Sequence, residues 1–234
     1  MIAHIERITE PVTHGHARRA AIAAIAWCLV ALAPIAAHAA CTAPAERLDY
    51  VISWAGGAIG HQQIVFERAG DKLSVRTKMR VHASLLFVTL IDLAHDSEEI
   101  WFGGRFRSYQ GRTVDNEAVT DITVHPDGEG LLVTRNAEAT RVPSDALPGS
   151  LWCAETLAKA GPNVLIDLVK GRTGQVTVSA PREEAVGVRG AEVRARKVEI
   201  QGFFEREVWH DSNGVGVRAR FPAKLGPKVV VELQ

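Results

Sequence analysis

The most regular hydrophobic pattern in the chain is LSVRTKMRVHASL, residues 73–85. Its odd-numbered positions are apolar except for Thr77, and its even-numbered positions are polar or charged. Because neighbouring side chains of a strand point to opposite faces, this alternation predicts a long antiparallel strand with one solvated face. Strands of this length twist strongly, so we expect the sheet that contains it to curl.

Shorter alternating segments, separated by Gly, Asn, Asp or Pro turns, follow one another from residue 47 to residue 233. They predict a mainly β fold that is built on a curved antiparallel sheet. Residues 85–94 form an apolar run that is interrupted at Thr89 and Asp92. This run is too short to cross a membrane, and we predict a strand that is buried on both faces.

One segment, residues 147–162, reads LPGSLWCAETLAKAGP and has the features of an amphipathic helix. Ser150 is a suitable N-cap, and Gly161 and Pro162 end the pattern. The apolar stripe consists of Leu151, Ala154, Leu157 and Ala158. We therefore predict one covering α-helix over about residues 149–160 that packs this stripe on the sheet.

Residues 1–39 have the features of a signal peptide. Arg18 and Arg19 precede an apolar run at residues 20–37, and an Ala-His-Ala cleavage site follows. We predict a signal helix that is removed, which leaves residues 40–234 as a single β-rich domain without a membrane span in the periplasm of a Gram-negative envelope. An uncleaved anchor is the alternative, because the apolar run is close to the minimum length for a span.

The charge of the chain is balanced, with 27 Lys and Arg residues against 27 Asp and Glu residues. Without residues 1–39 the net charge is about −1. Nucleic-acid binding requires a concentrated positive face, so we expect no nucleic-acid partner. The composition also provides no electrostatic attraction to an anionic membrane.

Two cysteines, Cys41 and Cys153, remain when Cys28 leaves with the signal peptide. The compartment is then oxidising, and we predict a disulfide between them. Two alternatives are open at this point. Cys153 can be a buried free thiol beside an unpaired Cys41, or Cys41 can carry a lipid as the N-terminus of the exported chain.

We identify no motif typical of catalysis, and we predict no cofactor and no metal ion. The five histidines after residue 39 lack the spacing of zinc ligands, and we expect most of them to be solvated or in turns. They are His61, His82, His95, His125 and His210. An enzyme is the less favoured interpretation, and its candidate residues are Asp92, His95 and His210.

Aromatic side chains on a curled sheet either line an apolar pocket or fill the core. Asp92 belongs with them, because a carboxylate in an apolar run needs a partner or a cavity. We therefore define a candidate ligand pocket that consists of Trp54, Phe87, Asp92, Trp101, Trp152 and Trp209. Trp152, on the predicted helix, marks where we expect the pocket to lie.

Several short motifs occur in a characteristic order along residues 50–233. They are Tyr50-x-x-Ser53 with Gly57-x-x-Gly60, Glu99-x-Trp101-x-x-Gly104-Arg105-Phe106, Thr113-x-x-Asn116, Ser150-Leu151-Trp152 and Trp209-His210-Asp211. In this order they resemble an uncharacterised family of exported bacterial proteins of unknown function, which often has Tyr at the position of His210. The resemblance implies a fold similar to the periplasmic lipoprotein-localisation carriers, which is an unclosed antiparallel β-barrel with helical cover. By fold analogy it also implies the binding of an apolar ligand. It implies no catalytic residues.

These observations lead to three hypotheses about function. The first is a periplasmic carrier or binding module whose partner is a lipid or another apolar small molecule. The second is an envelope interaction or assembly protein with a packed core, and the third is a hydrolase.

Overall fold

The computed structural model describes residues 41–85, 87–150, 152–223 and 226–234. The predicted signal peptide and its helix lie outside these residues. Within the described ranges, no helix combines the length and the apolar character that crossing a bilayer requires.

Sixteen strands form one continuous sheet. They are β1 (Arg47–Trp54), β2 (Gly57–Ala69), β3 (Lys72–Leu85), β4 (Val88–Phe102), β5 (Arg105–Asp115), β6 (Ala118–Asp127), β7 (Gly130–Arg135), β8 (Glu138–Pro143), β9 (Leu147–Pro148), β10 (Gly161–Asp167), β11 (Arg172–Val178), β12 (Arg182–Val188), β13 (Ala191–Gly202), β14 (Arg206–His210), β15 (Gly216–Phe221) and β16 (Val229–Leu233). The alternating pattern at residues 73–85 forms β3, so the strand predicted there is confirmed.

The sheet is almost entirely antiparallel. Strands β1 to β8 pair in sequence order, and β1 also pairs with β16, from which the sheet continues through β15, β14, β13, β11 and β10 to β9. Strand β12 pairs with β13 outside this path, and β9 pairs with β10 in parallel. The predicted mainly β fold with an unclosed, curved sheet is confirmed.

The two ends of the sheet meet at a seam, where β10 and the turn after it pack on the strands near β8. Ile166 and Leu168 belong to the same buried apolar cluster as Tyr109. The Tyr109 hydroxyl donates a hydrogen bond to the Leu168 carbonyl at 2.5 Å, and the Thr113 hydroxyl donates one to the Val169 carbonyl at 2.7 Å. Side chains of β5 therefore hold the turn after β10 against strands β5 to β8.

The prediction of a covering helix at about residues 149–160 is wrong. The segment follows the two-residue strand β9, and Cys153 is extended, with φ −100° and ψ 111°. Of its described residues, Ala154–Leu157 alone are helical, and they form a short 3₁₀ helix.

Long-range contacts explain why this segment is not an α-helix. The Gly149 N–H donates to the Ile166 carbonyl at 2.8 Å, and a Cβ at Gly149 would lie 2.8 Å from that oxygen. Trp152 and Cys153 are adjacent in sequence, yet both are buried. These contacts are incompatible with an α-helix that begins at Gly149, and they outweigh the helix propensity of the sequence.

Cys41 and Cys153 form a disulfide, with their Cα atoms 5.8 Å apart. The predicted pairing is therefore confirmed. Because both sulfur atoms are used, a free Cys153 thiol and a lipid thioether at Cys41 are both excluded.

The prediction that residues 85–94 are buried on both faces is also wrong. Phe87 is fully exposed and Val88 is 60% exposed. The Asp92 side chain is 69% exposed and lies 3.7 Å from His82 Nδ1, so it needs no buried partner. The run is exposed because it forms the end of the β3–β4 hairpin, beyond the pairing of these strands with β2 and β5.

Candidate functional site

A groove of about 700 Å³ lies where β1, β15 and β16 meet the β12–β13 turn. The strand register pairs Val51 with Glu232 and Ser53 with Val230. These residues line the groove and share one face of the sheet, opposite the buried Ile52. The groove therefore lies on the outer face of the barrel, and its volume is typical of small-molecule sites.

Trp54 forms an apolar wall of the groove. Its indole Nε1 donates a hydrogen bond to the Pro227 carbonyl at 3.1 Å. Gly226 lies against the ring with φ +75°, and a Cβ there would be 3.4 Å from Trp54 Cζ2. The indole nitrogen is already bonded to the chain before β16. The ring therefore contributes mainly an apolar surface, beside Val230.

Three basic side chains line the groove, from Arg189, Arg218 and Lys228, together with the acidic side chain of Glu232. Arg218 donates from Nη1 to the Gly187 carbonyl at 3.2 Å. Its Nε is buried, lies 3.8 Å from the Glu232 carboxylate, and has no hydrogen-bond partner among the described residues. The Arg218 side chain as a whole is 25% exposed, so its guanidinium can bind an anion, such as a carboxylate or a phosphate.

Arg189 is held over the groove by an unusual backbone conformation. It has φ +54°, a region that favours glycine, in the turn that joins β12 to β13. Its backbone N–H donates to Glu232 Oε1 at 3.2 Å. Among the described residues its side chain forms no ion pair, so the positive charge is available to a ligand.

Lys228 is connected to a second group of charges. Its Nζ lies 2.8 Å from the Glu207 carboxylate, which also binds Lys197 and Arg220. Burial alone would raise the pKa of Glu207, but the hydrogen bonds from Lys197 and Lys228 and the charge of Arg220 lower it to about 2. Glu207 therefore stays ionised and fixes the position of Lys228.

A buried carboxyl group, Glu99, lies in the core away from the groove. Its Oε2 accepts hydrogen bonds from Trp101 Nε1 at 3.0 Å, Trp152 Nε1 at 3.2 Å and Ser150 Oγ at 3.2 Å. Burial raises the pKa of Glu99 to about 7, and the three hydrogen bonds limit the rise. The Trp101 and Trp152 rings pack edge to face around it, with their centroids 5.1 Å apart.

A second buried polar group centres on His95, which is 3% exposed. Its Nδ1 lies 2.8 Å from the Thr113 hydroxyl, and its Nε2 lies 3.1 Å from the Ser97 hydroxyl and 3.4 Å from the Tyr109 hydroxyl. Burial lowers the pKa of His95 to about 4, although the charges of Asp96 and Asp167 oppose the change. His95 is therefore neutral at pH 7.

The Ser97–His95 pair has the spacing of a nucleophile and its base, but its chemistry does not suit catalysis. A general base works best with a pKa near the working pH, and His95 is far below it. Thr113, which contacts its other ring nitrogen, is itself a donor to the Val169 carbonyl. These contacts make His95 a structural link between β4, β5 and the seam.

The histidines do not follow a single pattern. His82 is exposed, in accord with the expectation of solvated histidines, whereas His95 and His210 are almost fully buried. The hydrolase candidates are not brought together by one strand face, because Asp92 and His95 are three positions apart on β4 and point to opposite faces.

The six residues of the candidate ligand pocket occupy different places. Trp101 and Trp152 are in contact in the core, Trp54 lines the outer groove, and Phe87 and Asp92 lie at the end of the β3–β4 hairpin. Trp209 is buried in a separate cluster, where Lys197 and Arg220 lie over its ring at 5.2 and 4.8 Å. Of these six residues, the structure brings together Trp101 and Trp152.

Sequence reasoning missed Glu99 and the basic residues of the groove. A signal for Glu99 was present, because the motifs Glu99-x-Trp101 and Ser150-Leu151-Trp152 supply the carboxyl group and all three of its donors. No local signal marked Arg189 or Arg218, since each lies on a different strand or turn and they meet only through the sheet.

One group of potential metal ligands lies together in the described chain, and it consists of Cys41, Cys153 and Glu155. Two of its members form the disulfide. A disulfide offers no thiolate, so this group does not suit a metal ion.

Comparison with protein families and solved structures identifies a family to which the chain is similar. A family model described as a domain of unknown function, DUF6134, matches residues 50–234. The sequence matches none of the curated proteins with which it was compared. A β-barrel-like protein of the DUF1849 family from Brucella abortus is similar in structure, with a TM-score of 0.53 and 11% identity over 81% of this chain and 94% of that one.

A second solved structure, a DUF1089 family protein from Pseudomonas aeruginosa, has a TM-score of 0.42 and 10% identity over 75% of this chain and 97% of that one. The DUF1849 structure supports the barrel-like fold alone. The resemblance to an uncharacterised all-β family is confirmed, and the chain belongs to the DUF6134 family.

Proposed function

We propose that this DUF6134 protein binds an amphiphile, a molecule with an acidic head group and an apolar chain, in the groove beside Trp54. The observation that carries this proposal is the convergence of the Arg218 and Arg189 side chains on a groove with an apolar wall. The head group would pair with Arg218 and Arg189, and the chain would lie along Trp54 and Val230.

The proposal changes the location that we expected for an apolar ligand. The region around Trp152 is filled by the Trp101 and Phe66 rings, at centroid distances of 5.1 and 5.2 Å, and by the disulfide. The outer groove instead joins apolar and basic side chains around one open volume.

The proposal includes export to the periplasm. The Cys41–Cys153 disulfide supports it, because disulfides persist in oxidising compartments and are rare in the cytosol. Fractionation of cells that express the full chain, with the thiols blocked before lysis, tests this part. Recovery of the protein in the cytosolic fraction with the thiols of Cys41 and Cys153 both blocked would refute it.

Titration with palmitate, a long-chain carboxylate, tests the groove. Native mass spectrometry should detect a complex. Arg218→Gln should raise the dissociation constant of this complex about tenfold or more, because a charge-assisted hydrogen bond is lost. Palmitamide, which has the same chain without the charge, should bind about as weakly to the unmodified protein as palmitate binds to Arg218→Gln.

The matched control is Arg112→Gln, which removes an exposed arginine of β5 that pairs with Asp121 outside the groove. It should leave palmitate binding unchanged. Equal binding by Arg218→Gln and the unmodified protein, or no binding at millimolar palmitate, would refute the proposed site.

A further inference from the structure

The β3–β4 hairpin extends beyond the strands on either side of it. Pairing of β2 with β3 ends at Gly60 and Val81, and pairing of β4 with β5 begins at Leu93 and Asp115. Residues 82–92 continue as a two-stranded ribbon that pairs only with itself, apart from two hydrogen bonds between Asp92 and Asn116. The end of this ribbon is therefore free of the sheet.

The end of the ribbon exposes large apolar side chains to solvent. The sequence there is Leu-Leu-Phe-Val, residues 85–88, and two of these side chains are the most exposed large hydrophobic groups of the described chain, Phe87 at 105% and Val88 at 60%. A groove on a protein partner would cover one face of such a ribbon. A bilayer surrounds an inserted tip on every side, and it suits this arrangement better.

The turn at the end of the ribbon contains a residue that does not favour the backbone conformation found there. Phe87 has φ +68°, a conformation that is costly for a bulky side chain. Most other described residues with positive φ are Gly or Asn, as turn chemistry favours, and the exceptions are Ala55, Glu117 and Arg189. An exposed phenylalanine in a strained turn does not stabilise the fold, which indicates that its role lies outside the folded domain.

Polar residues form a collar behind the apolar tip. The Ser84 hydroxyl lies 3.1 Å from His82 Nε2, and the opposite His82 nitrogen lies 3.7 Å from the Asp92 carboxylate. Asp115 follows on the neighbouring strand. These carboxylates would oppose binding to an anionic surface, and they limit insertion to the residues beyond Ser84.

We propose that the tip of the β3–β4 hairpin inserts into the surface of an uncharged lipid bilayer, with Phe87 and Val88 as the inserted side chains. This interaction is separate from ligand binding in the groove. The protein would associate reversibly with the membrane, because a tip of a few apolar residues is a weaker anchor than a spanning helix.

Flotation of the exported chain, residues 40–234, with phosphatidylcholine vesicles at millimolar lipid tests the proposal. Phe87→Asn should lower the partition coefficient about tenfold or more, because the main inserted side chain is lost. Asparagine tolerates φ > 0, so this variant should fold at least as well as the unmodified protein. Phe102→Asn is the control, since Phe102 is 52% exposed at the other end of β4.

A fluorescent label gives a second readout. Because Cys41 and Cys153 are paired, Phe87→Cys provides a thiol that can be labelled selectively with a polarity-sensitive dye. Its emission should shift to the blue when vesicles are added, and that of the same dye at Phe102→Cys should not.

Four outcomes would overturn the proposal. They are an absence of flotation, flotation that Phe87→Asn does not reduce, binding that requires anionic lipid and is abolished by salt, and an unshifted dye at position 87. A crosslink from position 87 to a protein, without vesicle binding, would assign the tip to a protein partner instead.

Discussion

Trp152 Nε1 donates a hydrogen bond to Glu99 Oε2 at 3.2 Å, although 53 residues separate the two in the sequence. Trp152 lies next to the half-cystine Cys153, and Glu99 lies near the C-terminal end of β4. The contact thus joins the segment after β9 to the inner face of the sheet. Its strength depends on the protonation of one buried carboxyl group.

Glu99→Gln should remove a pH dependence of stability. The pKa of Glu99 rises from an ordinary 4.5 to about 7 in the folded protein. Between these values the folded state holds a proton that the unfolded state has lost, so the free energy of unfolding falls as the pH rises, by up to about 1.4 kcal/mol per pH unit. Above pH 7 this contribution is constant.

Urea unfolding at pH 5.5 and pH 8 measures the effect. The loss of stability between these two values should be smaller in Glu99→Gln than in the unmodified protein. Glu98→Gln, at the adjacent and more exposed position, should keep the full loss. If Glu99→Gln retained the same difference between the two pH values, the assigned protonation would be wrong.

Removal of the disulfide should cost about 4–5 kcal/mol in the free energy of unfolding. The bridge closes a loop between residues 112 positions apart, and the chain-entropy gain is large for a loop of this length. The double variant Cys41→Ala/Cys153→Ala, unfolded by urea, measures the loss. Dithiothreitol should destabilise the unmodified protein by a similar amount and leave the variant unchanged, whereas a loss below about 1 kcal/mol would contradict the expectation.

Gly111→Ala should destabilise the protein by about 1–3 kcal/mol. A Cβ at Gly111 would lie 2.1 Å from the Tyr109 hydroxyl, so the tyrosine would have to move away from the Leu168 carbonyl at the seam. Gly187→Ala is the matched control, because no atom lies within 4 Å of a Cβ at that strand position. Thermal unfolding compares them, and equal midpoints for the two variants would show that Tyr109 is not held as described.

Glu207→Gln should destabilise the protein at pH 7 by about 1 kcal/mol, a modest value because Lys228 and Arg220 are partly exposed. The pKa of Glu207 is lowered to about 2, so its stabilisation is present above pH 4.5 and lost as the pH falls towards 2. Unfolding in low and high salt measures the effect, which salt should reduce. The exposed Glu184→Gln serves as control, and an equal change in both variants would count against the ion network.

The strands could be predicted from sequence because their signal is local. The alternation at residues 73–85 needs no knowledge of the rest of the chain, and it forms β3 as expected. The segment at residues 149–160 has an equally local helix pattern, but Glu99, Cys41 and the Ile166 carbonyl determine its conformation from distant positions. Propensity cannot report such contacts.

Two carboxyl groups show that the surroundings of a side chain are equally hard to predict from local sequence. Glu99-Ile100-Trp101 and Glu207-Val208-Trp209 have the same pattern, yet neutral donors surround Glu99 and three cations surround Glu207. Their pKa values consequently move in opposite directions, to about 7 and about 2. The neighbours of a carboxylate depend on the order of strands in the sheet, and a three-residue motif does not predict that order.

The pairing of β1 with β16 has a consequence for the order of folding. Val51 and Val230 face the same groove, but they come from the first and last strands of the described domain. When the N-terminal part of the chain is available first, β1 can pair with β2 early. The groove, in contrast, requires β16. The groove therefore forms in the last step of folding, when the final strand of the described domain joins the sheet.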